Sequence, residues 1–154
     1  MTPFSTVIDY FLRKITDDMY MEMTKADTEA HAADYIPLAI PYFEFPRTAL
    51  WSFDAENSTF NDALTNDEIN IIATYMVVCW IDQQLASIEL TRMKYSGTDW
   101  KMTSQASHMN RLKDLKANFI EQGFHLQRVY KRRRVDNGVL TSTISDLRMG
   151  RSYE

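Results

Sequence analysis

The chain has 154 residues, 45% of them hydrophobic and 25% charged, which fits one domain with enough length to bury a core. Four Gly and four Pro give little turn punctuation for an all-β fold, and the single cysteine, Cys79, excludes an internal disulfide and a Cys-rich zinc site. The net charge of −4 hides a gradient: residues 1–68 carry four Lys/Arg against thirteen Asp/Glu, residues 69–110 three of each, and residues 111–154 ten against five. An acidic front and a basic back can attract each other between copies, or can simply be solvated faces.

In the first segment, Val7, Ile8, Phe11, Ile15, Met19 and Met23 recur at three- and four-residue spacing, so a helix is expected over residues 5–23, capped by Ser5 or Thr6. Acids and bases are scattered through it, unlike the basic-then-apolar order of a signal peptide. Asp27 or Thr28 can cap a second helix, whose apolar face continues through Tyr35, Ile36, Ala39, Ile40 and Phe43. Pro37 and Pro41 predict a kink or an early end. Around the turn at residues 54–58, the flanks 50–53 and 59–63 suit either a short β-hairpin or a bare loop.

Thr65-Asn66-Asp67-Glu68 has the form of a capping box, in which Thr65 and Glu68 each bond the other's backbone N–H. Almost every position over residues 69–81 is apolar, which marks the buried central helix of the fold, continuing to about residue 90–92. That run, interrupted by Asn70 and Thr74, reads as too short to span a bilayer. After a loop at residues 95–99, Thr103 or Ser104 can cap a last helix. Its stripe is Ala106, Met109, Leu112, Leu115, Phe119, Leu126 and Tyr130, and it ends near Arg133 in a basic cluster that suits the helix dipole. Gly123 weakens this helix by ~1 kcal/mol relative to Ala unless close packing needs it. The expected class is mainly α: a small helical bundle around a buried central helix at about 65–91, with a long basic C-terminal helix. Residues 1–134 form the helical domain; 135–154, with spaced apolar residues among Thr and Ser, form an extended arm that orders on a partner.

No catalytic pattern emerges. His31, His108 and His125 each stand alone, and Asp27, Glu29 and His31 read as a solvated turn rather than a metal site. Cys79 lies in the apolar run and reads as a buried, inert thiol. Trp80 reads as core, whereas Trp51 and Trp100 suit loop or interface anchors. No metal or other cofactor is expected. The one marked cluster is Arg128, Lys131, Arg132, Arg133 and Arg134, which suits a protein contact, a solvated helix end, or a nucleic-acid surface.

The segments Tyr35-Ile36-Pro37-Leu38-Ala39-Ile40-Pro41-Tyr42-Phe43-Glu44-Phe45-Pro46-Arg47 and Leu64-Thr65-Asn66-Asp67-Glu68-Ile69, the Trp80 helix, Ser104-Gln105-Ala106-Ser107-His108 and Tyr130-Lys131-Arg132-Arg133 together resemble the small helical head–tail connector (adaptor) proteins of tailed bacteriophages. The resemblance implies a non-enzymatic virion neck protein, made in the host bacterial cytoplasm. It would form a homo-oligomeric ring of twelve copies between the portal protein and a tail or stopper protein, with no membrane contact. Genomic DNA would pass through the lumen without sequence-specific contact during packaging and ejection. It also implies that the arm docks on the portal, here through Val139, Leu140, Ile144, Leu147, Met149 and Tyr153. The alternatives are another neck or tail-completion ring, or a helical nucleic-acid-binding regulator acting through residues 128–134.

Overall fold

The computed structural model describes residues 1–15, 23–94, 99–136 and 139–142, with backbone only for 91–94, 99–105, 134–136 and 139–142. In chain order the elements are β1 (Thr2–Pro3), α1 (Phe4–Leu12), α2 (Lys25–Ala33), α3 (Tyr35–Ala39) and a 3-10 turn (Ile40–Tyr42). They continue as β2 (Phe53–Asp54), β3 (Thr59–Phe60), α4 (Asn66–Lys94), α5 (Asp99–Arg132), β4 (Arg133–Asp136) and β5 (Val139–Ser142). The architecture is mainly α, organised on the long central helix α4.

Helix α4 starts at the capping box. Glu68 N–H donates to Thr65 Oγ1 at 3.3 Å, and Thr65 N–H donates to Glu68 Oε2 at 2.8 Å. Every residue from Ile71 to Val78 is buried, because α4 is packed by α1 and α3 as well as α5. The apolar run lies within a 29-residue helix, close to the span expected from sequence. By length and composition residues 66–90 reach what a membrane span needs, yet 61% of the apolar 18-residue window within them is buried inside the protein itself. A core helix surrounded by partners is apolar on all sides for the same reason a spanning one is.

The first helix is shorter than its stripe suggests. α1 ends at Leu12, and Arg13 and Lys14 turn back on the carbonyls of Asp9 and Phe11; the remainder of the expected helix, residues 16–22, lies outside the described residues. Phe4, Val7, Ile8 and Phe11 form its buried face. The second helix begins earlier than expected: Thr24, not Asp27 or Thr28, is the N-cap, its Oγ1 accepting from Asp27 N–H at 3.2 Å. The break falls at Asp34, before Pro37, and the chain goes on through α3 into the 3-10 turn that contains Pro41.

The flanks of the 54–58 turn do pair, as β2 with β3, in register Phe53↔Phe60 and Asp54↔Thr59. Asp54 holds the turn by accepting from Glu56 N–H at 2.9 Å and Asn57 N–H at 3.1 Å. The extreme N-terminus adds a third strand that periodicity did not suggest, with Thr2 opposite Phe60. Phe4, Phe53 and Phe60 then gather under this small sheet. The last helix starts at Asp99 rather than at Thr103 or Ser104, and gives way at Arg133 to the hairpin β4–β5, paired Arg133↔Ser142 through Asp136↔Val139. The first part of the expected arm is thus a strand on the chain itself.

Candidate functional site

Two features meet at the C-terminal end of α5. The first is a polar clamp around Glu68, which is only 1% exposed. Its carboxylate accepts from Thr48 Oγ1 at 2.7 Å, Tyr130 Oη at 2.7 Å, Thr65 N–H at 2.8 Å and Thr65 Oγ1 at 2.9 Å. Burial alone would raise its pKa; the bonds from Thr48, Thr65 and Tyr130 outweigh it and hold the carboxyl below its ordinary value. Burial, together with donation to Glu68, pushes the Tyr130 phenol well above the usual tyrosine range. Glu68 is thus a charge stabilised by four donors and sealed from solvent, a structural anion rather than an accessible base.

Arg47 extends the clamp to the chain's C-terminal side. Its backbone N–H donates to Tyr130 Oη at 3.0 Å, and its guanidinium lies 4.4 Å from the centre of the Tyr130 ring. The same guanidinium donates to the carbonyls of Tyr130, at 2.7 Å, and of Arg133. Helix C-termini leave such carbonyls without helical partners, so a cation there both caps the helix and complements its dipole. Arg133 in turn pairs with Asp67, in the first turn of α4, at 3.1 Å. The clamp thereby ties the start of α4, the loop at residues 47–48 and the root of the β4–β5 hairpin into one unit.

The second feature is an open groove of about 480 Å³ between the Phe43–Phe45 segment and the exposed face of α5. Glu44 and Arg47 fix that segment alongside the helix, since Glu44 N–H donates to Gln127 Oε1 at 2.9 Å. Gln127 also donates to Tyr42 O at 2.9 Å and to Tyr75 Oη at 2.6 Å. Gly123 lets Tyr75 lie against α5: a Cβ there would sit 2.6 Å from Tyr75 Cζ. The groove's apolar walls include Phe45, 63% exposed, and Phe124, 49% exposed. Its charged rim carries Glu44 and Glu121 as well as Arg128 and Lys131, whose ammonium lies 4.7 Å from the centre of the Phe45 ring.

The basic cluster read from sequence therefore divides. Arg128 and Lys131 line the groove, Arg132 is exposed, and Arg133 is engaged by Asp67. Arg134 pairs through its backbone with Thr141, and its side chain lies outside the described residues. With Glu44 and Glu121 beside Arg128 and Lys131, the groove is charge-balanced, not a continuous basic surface. Of the arm residues, Val139 and Leu140 are in β5, while Ile144, Leu147, Met149 and Tyr153 lie outside the described residues. Among the remaining candidates, Asp27 closes the Thr24 cap, Glu29 pairs with Lys25, and His31 meets the edge of the Tyr35 ring. No group of three His, Cys, Asp or Glu side chains suited to a metal ion occurs among the described residues. Trp80 is buried and Trp51 is 71% exposed.

The clamp's dependence on Arg47, Thr48 and Tyr130 was missed from sequence, as was the groove. One signal was present: Phe124 falls off the apolar stripe of α5. No protein-family model matches the chain, and comparison with curated proteins and with solved structures returns no match.

Proposed function

We propose that the chain is a non-enzymatic assembly protein of a tailed-phage neck, a ring-forming adaptor that joins portal to tail and docks on the portal through the residues beyond β4. One observation supports the reading most. Three of the segments that carry the resemblance, residues 35–47, 64–69 and 130–133, meet in the clamp through Arg47, Thr65, Glu68, Tyr130 and Arg133. An adaptor's arm must leave its domain from a fixed root if neighbouring arms are to reach equivalent places on a symmetric partner. The clamp supplies such a root, because it holds the carbonyls of residues 130 and 133 at the point where helix becomes hairpin.

Co-expression with a portal protein from the same genome, followed by electron microscopy of the purified complex, tests the proposal. The expected result is a ring of this chain beneath the portal, lost on deletion of residues 139–154 while the deleted chain stays folded. A chain that remains monomeric and elutes apart from the portal sinks the neck assignment.

A further inference from the structure

The outward face of α5 carries a pattern of its own. Asp114, Ala117, Glu121, Phe124, Arg128 and Lys131 follow one another at alternating three- and four-residue spacing, and all six are exposed. That spacing keeps them along one side of the helix, within an arc of about 100°. A seven-residue period of this kind is the seam on which a second helix lies. Among the described residues no ion pair engages Asp114, Glu121 or Arg128. We propose that this face binds the same face of a second copy of the chain, antiparallel, about a two-fold axis that crosses α5 near residue 126. The contact belongs to the chain free in solution and does not depend on the neck assignment.

A two-fold contact needs a surface that is complementary to itself. On α5 the charges are sorted along the seam, with Glu121 before Phe124 and Arg128 and Lys131 after it. With the axis near residue 126, Glu121 faces the partner's Lys131 and Phe124 faces the partner's Arg128. The first is an ion pair and the second a cation–π contact, and symmetry makes each occur twice. The helical span from Glu121 to Lys131 is ~15 Å, so the two ion pairs flank the axis at ~7 Å on either side. A parallel pair would instead set Glu121 against Glu121 and Arg128 against Arg128, which like-charge repulsion opposes. Glu44, on the wall beside α5, completes a groove with two acids and two bases. A surface without net charge but with ordered signs suits its own copy better than a polyanion or a strongly basic partner. The apolar centre fits as well. Phe124 is 49% and Phe45 63% exposed across the groove from each other, and pairing removes both rings from water in both copies.

Sedimentation of the full chain from about 5 to 500 µM tests the contact, because a pair of copies follows mass action. The average mass is expected to rise from one chain toward two. Phe124→Asp, at an exposed position, should weaken association at least about tenfold while the helical circular dichroism stays unchanged. Glu121→Lys and Lys131→Glu should each weaken it about threefold or more, since each breaks both ion pairs. The two combined in one chain should restore it, because the pairs form again with their signs exchanged. Direction is read by cross-linking: Glu121→Cys chains mixed with Lys131→Cys chains should form an interchain disulfide faster than either variant alone. A chain that stays monomeric throughout overturns the proposal. So does association indifferent to Phe124→Asp or not recovered by the double exchange, and so does a Glu121→Cys variant that cross-links fastest to itself.

Discussion

Replacing Gly123 with alanine sets helix propensity directly against packing. In an exposed helix the change stabilises by ~1 kcal/mol. Here the added Cβ would lie 2.6 Å from Tyr75 Cζ, 2.7 Å from Oη and 2.9 Å from Cε1, against ~3.5–4.0 Å for a relaxed carbon contact. The phenol is poorly placed to give way. Tyr75 is 1% exposed, its ring stacks on Tyr42 at 5.2 Å, and its oxygen is held by Gln127 at 2.6 Å. Overpacking of this kind costs ~1–3 kcal/mol, and a shift of the ring also weakens the Gln127 bond by about 1 kcal/mol. Packing therefore wins, and Gly123→Ala should lower stability by about 1–3 kcal/mol, read as a lower urea midpoint at unchanged slope. In a Tyr75→Leu background the clash is removed, and the same substitution should become neutral or stabilising, a coupling of about 1–3 kcal/mol in a double-mutant cycle. If Gly123→Ala raises the midpoint with Tyr75 intact, the seating of α5 on Tyr75 argued above is wrong.

The clamp gives two further expectations. Tyr130→Phe removes a donor from Glu68 and the acceptor of Arg47 N–H, so it should cost about 1.5–3 kcal/mol by urea unfolding; a loss under half a kilocalorie would show that water replaces the phenol. Because the folded pKa of Glu68 lies below its ordinary 4.5, its contribution is complete above that value and is lost as pH falls through the lower, folded one. Glu68→Gln should be less stable near neutrality and lose less stability between about pH 5 and 3, and parallel pH profiles for the two proteins would exclude this linkage. Burial, then the charge of Asp82, pushes the Cys79 thiol up to about 11. Near pH 8 it should hold only ~0.1% thiolate and react with a disulfide reagent far more slowly than free cysteine; reaction at the free-thiol rate in the folded protein would contradict the burial.

Much of the helical frame was readable because it rests on local chemistry. The Thr65–Glu68 box and the all-round apolar character of α4 depend on adjacent residues, and both appear where the sequence put them. Element ends were less readable. The stripe Val7, Ile8, Phe11, Ile15 continues beyond Leu12, yet the chain turns at Arg13. A periodic stripe records which residues are suited to burial, and a chain that bends back can bury Ile15 against the same core without helix. β1 carries no alternation at two residues; it exists because Phe60 already lies in a strand, a long-range cause invisible to any local window.

The basic cluster shows why the candidate site was only half legible. Five cations within seven positions form one patch when read along the chain, but a helix turns each by about 100° and then ends inside the patch. Arg128 and Lys131, three apart, share the groove face; Arg133, already in β4, faces Asp67 across the clamp. Sequence spacing alone could have separated the first two from the last, since positions three apart share a helix face. What it could not supply is the partner of each. Asp67 is 66 positions away, and Arg47, which holds the helix end, is 83 positions from Tyr130. Arg47 meets the Tyr130 and Arg133 carbonyls from outside the helix, while Arg128 and Lys131 line the groove, where their charges can select what lies in it.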